Sequence, residues 1–106
     1  MTVQHVSAQN NMLHTRTHAT VLVGNVPDLA RLPQYKGQAR QRIAGTVTAW
    51  NRVIAAAARA NGARLVDLYA GWRQLAANPD ALSADGFHPS TAGYRLLARA
   101  FWSACP

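Results

Sequence analysis

Two short apolar runs flank one long amphipathic stretch, and that order constrains the fold more than any other feature of the chain. The first run is Thr20-Val21-Leu22-Val23, closed by Gly24-Asn25. A β-branched run with no alternating polar residue reads as a strand buried on both faces. The stretch 40–61 carries Ile43, Val47, Trp50, Ile54 and Ala57 at steps of four and three. These make one apolar stripe of a helix, with Arg52 and Arg59 on the opposite side. Asn61-Gly62 supplies a C-terminal cap. Ala63-Arg64-Leu65-Val66-Asp67-Leu68-Tyr69 then reads as a second strand. Strand, crossover helix and strand make a βαβ unit. The strands near 20–24 and 63–69 are therefore expected to be parallel, in an α/β fold.

The remaining elements are shorter. Pro27 and Pro33 bracket a loop, because proline neither donates to a ladder nor continues a helix. A short helix is expected over 71–77, then a loop through Pro79 and Asp80. The last helix starts at Ser90 or Thr91, a good N-cap pair after Pro89. Tyr94, Leu97, Ala98 and Phe101 would be its buried stripe, with Arg95 and Arg99 outward. At the other end, Val3, Val6, Asn10 and Leu13 form a weak stripe that predicts a helix over 3–17. The 106 residues suffice for one small domain and one core, and no internal repeat or boundary divides them.

Charge narrows the function classes. The formal charge is +7, from eleven basic residues, ten of them Arg, against four Asp and no Glu. A nucleic-acid binder would gather its basic residues beside aromatic platforms. Here the arginines are scattered from Arg16 to Arg99 without a dense run, so nucleic acid is not the expected partner. No apolar run is long enough to span a membrane. Residues 1–11 lack a basic start followed by an apolar stretch, so they do not read as a secretory signal, and localisation stays undetermined. Cys105 stands alone; it is an idle thiol or pairs outside this chain.

The chemistry concentrates in Ser83-Ala84-Asp85-Gly86-Phe87-His88-Pro89-Ser90-Thr91-Ala92-Gly93-Tyr94. A carboxylate stands three residues before a histidine, in a Gly/Pro-bounded loop that leads into a helix. In a Ser-His-Asp mechanism the histidine takes the nucleophile's proton and returns it to the leaving group. The aspartate accepts from the other ring nitrogen and fixes its tautomer. The spacing alone also fits a solvated turn with an incidental histidine.

The wider context is more specific. Asp85-Gly86-Phe87-His88-Pro89-Ser90, with Gly93-Tyr94 and the apolar helix ending in Phe101-Trp102, resembles the final motif block of SGNH/GDSL hydrolases. Residues 21–29 with Leu32-Pro33 are similar to the family's penultimate strand and the loop after it, and the spacing to 63–69 also matches. The resemblance covers roughly 12–104. It implies a three-layer α/β/α, flavodoxin-like fold, with Asp85 and His88 as triad acid and base, carboxylic esters as substrates, and no metal or organic cofactor.

The departures matter equally. The family's nucleophile belongs to a Gly-Asp-Ser motif near the domain's start, and this chain has none. Ser90 is better explained as a helix cap. Ser83 is too near Asp85 and His88 along the chain, and Ser7 and Ser103 lack context. The family's Gly-x-Asn-Asp oxyanion block is missing too. Gly24-Asn25 is a tempting substitute, yet it reads better as the end of a strand. The chain is thus expected to be one partial domain, 1–106, without its nucleophile half and inactive alone. The alternative is a non-catalytic remnant or an interaction module that binds a partner, or a second copy, through an exposed strand edge.

Candidates for substrate contact are Phe87, Asn25 and Pro27; Phe87 equally suits an acyl pocket or simple packing. His14 and His18 have metal-ligand spacing, but only His5 lies near and no Cys or Glu supports them. They read as an exposed helix face, and no metal site is expected. Lys36 reads as solvated. Trp50, Trp72 and Trp102 read as core or half-buried packing.

Overall fold

The computed structural model describes residues 19–76 and 78–106. The expected helix over 3–17 and the histidines His5, His14 and His18 lie outside them. Strand β1 (Leu22–Gly24) pairs in parallel with β2 (Arg64–Val66), in the register Leu22↔Arg64, Val23↔Leu65, Gly24↔Val66. Helix α1 (Gly37–Ala60) connects them, so the βαβ unit is present as the sequence pattern demands. A 3₁₀ turn (Leu29–Arg31) lies between β1 and α1. Helix α1 ends in a Schellman motif: Gly62 N–H donates to the Arg59 carbonyl at 3.4 Å, and Ala63 N–H to that of Ala58 at 2.9 Å.

The second strand is shorter than its sequence suggests. It stops at Val66, and Leu68 and Tyr69 already belong to helix α2 (Leu68–Ala76). Asp67 causes the switch, because its Oδ1 accepts from Ala70 N–H at 3.0 Å and so caps the new helix. A 3₁₀ turn (Pro79–Ala81) and helix α3 (Thr91–Ser103) complete the order. The Ser90 hydroxyl caps α3 by accepting from Gly93 N–H at 3.2 Å, as expected.

The core gathers Leu32, Trp72 and Ala81, with Leu29, Tyr35, Leu82, Leu96 and Leu97 packed around them. Burying a side chain such as Leu32 stabilises by about 1.5–3 kcal/mol. Gly93 fixes how α3 sits on this core. A Cβ there would lie 2.2 Å from the Ala81 carbonyl oxygen, so only glycine allows the approach. Seated this way, α3 turns Gly93, Leu96, Leu97 and Phe101 inward. Tyr94 and Ala98, expected inside, face outward, and Tyr94 is 57% exposed. The inward face is rotated by about one residue, ~100°, from the expected one.

Burial departs from expectation elsewhere too. Trp72 is buried, but Trp50 is 46% and Trp102 79% exposed. Trp50 lies on the rim of an apolar groove with Val26, Leu29, Ile43 and Val47, and that groove is open. Trp102 falls on the outer side of α3, away from Leu97 and Phe101. The apolar run of β1 predicts cover on both faces, yet Leu22 and Val23 are only half-buried among the described residues. Among those residues no helix is long and apolar enough to cross a membrane.

Candidate active site

The loop 83–90 is built by its own hydrogen bonds. Ser83 N–H donates to the His88 carbonyl at 2.8 Å, and the Ser83 hydroxyl to that of Pro89 at 2.9 Å. Leu82 and Pro89 form an antiparallel bridge, and Ser90 N–H donates to the Ala81 carbonyl at 2.8 Å. The Ser90 hydroxyl also bonds the Asp80 carbonyl. Gly86 turns the tip with φ +68°, a left-handed conformation that glycine adopts without penalty.

This frame brings Asp85 and His88 together. Oδ1 of Asp85 accepts from Phe87 N–H at 2.9 Å and His88 N–H at 3.0 Å. Its Oδ2 meets Nδ1 of His88 at 2.6 Å. The His88 side-chain bond first, then the two backbone N–H groups, lower the Asp85 carboxyl from 3.8 to about 2. An ionised carboxylate against Nδ1 favours the tautomer with its proton there, which leaves Nε2 as an acceptor. No described residue bonds Nε2, and the His88 side chain is 66% exposed. Phe87 sets its ring edge-on to His88, with centroids 5.1 Å apart at 76°. Phe87 therefore borders the imidazole and steers its plane; it is itself part-exposed.

The serines here are engaged in structure. Ser83 closes the loop and Ser90 caps α3; no described serine oxygen bonds the imidazole. Asn25 lies at the end of β1 and is 8% exposed. Its Nδ2 donates to Asp67 Oδ1 at 2.9 Å, and its Oδ1 accepts from Tyr69 N–H at 2.9 Å. The amide thus knots the ends of both strands to the start of α2. Pro27 is half-buried in the following loop, where its carbonyl accepts from Leu29 N–H at 2.7 Å. Neither residue hydrogen-bonds to the Asp85–His88 pair.

This fold, in which a βαβ unit leads to a capped helix behind an Asp-His loop, invites comparison with known proteins. The GDSL-like lipase/acylhydrolase family matches residues 2–96. The chain belongs to the GDSL-like lipase/acylhydrolase family. None of the curated proteins matches it. Its fold is similar to the crystal structure of LAE5, an alpha/beta hydrolase enzyme from the metagenome of Lake Arreo, Spain, with a TM-score of 0.61 and 23% identity. That likeness covers 98% of this chain and 47% of LAE5, so this GDSL-like chain spans about half the length of that hydrolase. The α/β fold with parallel strands stands accordingly.

Sequence reasoning missed two residues that shape the region, Asn51 and Asp67. Asn51 reaches from α1 to clasp Val26: its Oδ1 accepts from Val26 N–H at 2.8 Å and its Nδ2 donates to the Val26 carbonyl at 2.9 Å. The available signal was an amide beside the apolar stripe of a helix. For Asp67 it was a lone carboxylate just before a helical pattern.

Proposed function

We propose that this chain is the Asp/His-bearing part of a serine ester hydrolase, a single partial domain whose nucleophile is supplied from outside residues 1–106. The observation that carries the reading is the 2.6 Å contact between His88 Nδ1 and Asp85 Oδ2, with Nε2 left open. Membership of a GDSL-like lipase/acylhydrolase family supports esters as the substrate class.

In this reading, a serine hydroxyl attacks the ester carbonyl while Nε2 of His88 takes its proton. The ester C–O bond breaks, and His88 returns that proton to the departing alcohol. A water then attacks the acyl-serine with His88 again as base. The carboxylic acid leaves and the serine regains its proton. Asp85 holds the ring and balances the positive charge of the imidazolium. Phe87 lines the approach to the ring, and the loop carrying Asn25 and Pro27 lies at the substrate end of the strands.

The test is complementation. The chain alone is expected to leave 4-nitrophenyl acetate unhydrolysed. Joined to a GDSL-bearing N-terminal half, it is expected to turn the ester over, with a rate that falls about 10⁴-fold in His88→Ala and in Asp85→Asn. Hydrolysis that both substitutions leave intact rejects the assignment. A second reading, a non-catalytic module, draws on the half-covered strand β1 and the exposed Trp50 and Val53. It gains if the chain binds a partner or a second copy yet never restores turnover.

A further inference from the structure

A cleft of about 360 Å³ opens beside the strand ends, lined by Asp28, Arg31, Tyr69, Ala70 and Trp72. Two of these residues follow β1 and three follow β2. Open parallel sheets place ligands at the carboxyl ends of their strands, and this cleft is there. Its volume suits a small organic molecule.

One wall of the cleft carries an ion pair. Asp28 Oδ2 accepts from Arg31 Nε at 2.8 Å, and the Asp28 side chain is only 13% exposed. An ion pair between exposed side chains on one turn contributes little to stability. A sheltered carboxylate that grips Nε has a different effect: it orients the guanidinium. Both Nη groups then lack a partner among the described residues, while the Arg31 side chain remains 55% exposed. Tyr69 also lines the cleft, and its backbone N–H donates to Asn25 Oδ1 at 2.9 Å. Tyr69 is 40% exposed, and no described residue bonds its hydroxyl. Trp72 is buried in the core and supplies an apolar wall.

A planar donor fork held in place, a phenol and an apolar wall make a receptor for an oxyanion joined to a short carbon chain. We propose that Arg31 selects esters bearing a second, negatively charged oxygen group, such as half-esters of short dicarboxylic acids. Arg31 binds the free carboxylate, Asp28 positions Arg31, and the chain of the ester lies along Trp72. That the ligand is an ester rests on the hydrolase reading; that it is an anion does not.

The experiment therefore reads binding in the full 106-residue chain, apart from turnover. Monomethyl succinate is titrated at low salt while NMR follows the Arg31 Hε and Tyr69 ring signals, with dimethyl succinate as the neutral comparison. Saturable shifts are expected for the half-ester, weaker by about ten-fold or more for the diester and in Arg31→Gln. Arg31→Lys is expected to restore part of the affinity and Tyr69→Phe to weaken it. Equal affinity for the two esters, or an Arg31→Gln variant that keeps its fold and binds like the parent, overturns the proposal. Either result leaves the role of His88 to its own test, since no hydrolysis is measured.

Discussion

Around Asn25, polar groups use their hydrogen bonds inward. Both ends of its buried amide are engaged, Asp67 Oδ1 accepts twice, and Asn51 satisfies both backbone groups of Val26. Around His88 the arrangement is reversed. Asp85 is saturated by the loop, but the imidazole keeps one nitrogen open and most of its side chain in solvent. The first cluster holds strands and helices in register. The second uses its bonds to orient a single group and leaves that group's outer edge free. Hydrogen bonding inside a cluster thus separates the structural knot from the proposed chemical site better than residue type does, since both clusters contain a carboxylate.

Substitution can break this contrast. The largest effect is expected at the knot: Asn25→Ala strands the Tyr69 N–H and removes a donor from Asp67, at a cost of about 1–3 kcal/mol in urea unfolding. A cost below about 0.5 kcal/mol, the level of an ordinary surface substitution, would erase the distinction. Ser90→Ala comes next, with about 1 kcal/mol lost from the α3 cap in the same measurement. His88→Ala is expected to lower the unfolding midpoint least of the three, because the ring's one bonded partner among the described residues is the exposed Asp85 carboxylate.

That last variant sharpens the comparison when Asp85 is followed by carboxyl NMR. Its folded value, about 2, lies below the ordinary 3.8, so its ionisation favours the folded state above pH 3.8, and that contribution is lost as the pH falls through 2. The His88 bond is the main cause. Without the ring, the titration midpoint is expected to climb back toward 3.8 while the two backbone N–H bonds hold it partly down. A midpoint that does not move would mean that the loop backbone alone sets the carboxylate.

Much of the architecture was legible in the residues because it is local. The α1 stripe, the Asn61-Gly62 ending, the Ser90 cap and the three-residue spacing of Asp85 and His88 are all short-range patterns. What escaped depends on distant partners. Leu68 and Tyr69 look like strand residues until Asn25, far back in the chain, accepts from Tyr69 N–H and helps turn the backbone into α2. Periodicity placed Leu97 and Phe101 on the inner side of α3, as found, but also Tyr94 and Ala98, which face outward. It did not tell which side meets the core, because the contact between Gly93 and Ala81 decides that. The exposure of Trp50 and Trp102 had no sequence signal either, since covering a side chain is the work of other elements.

Among the described residues, every hydrogen bond that arranges Asp85 and His88 lies between Asp80 and Gly93. The polar frame of the pair is therefore sequence-local, while Ala81 and Leu82 tie that frame to the core. A graft that kept every one of these bonds would still have to offer those two side chains an apolar seat.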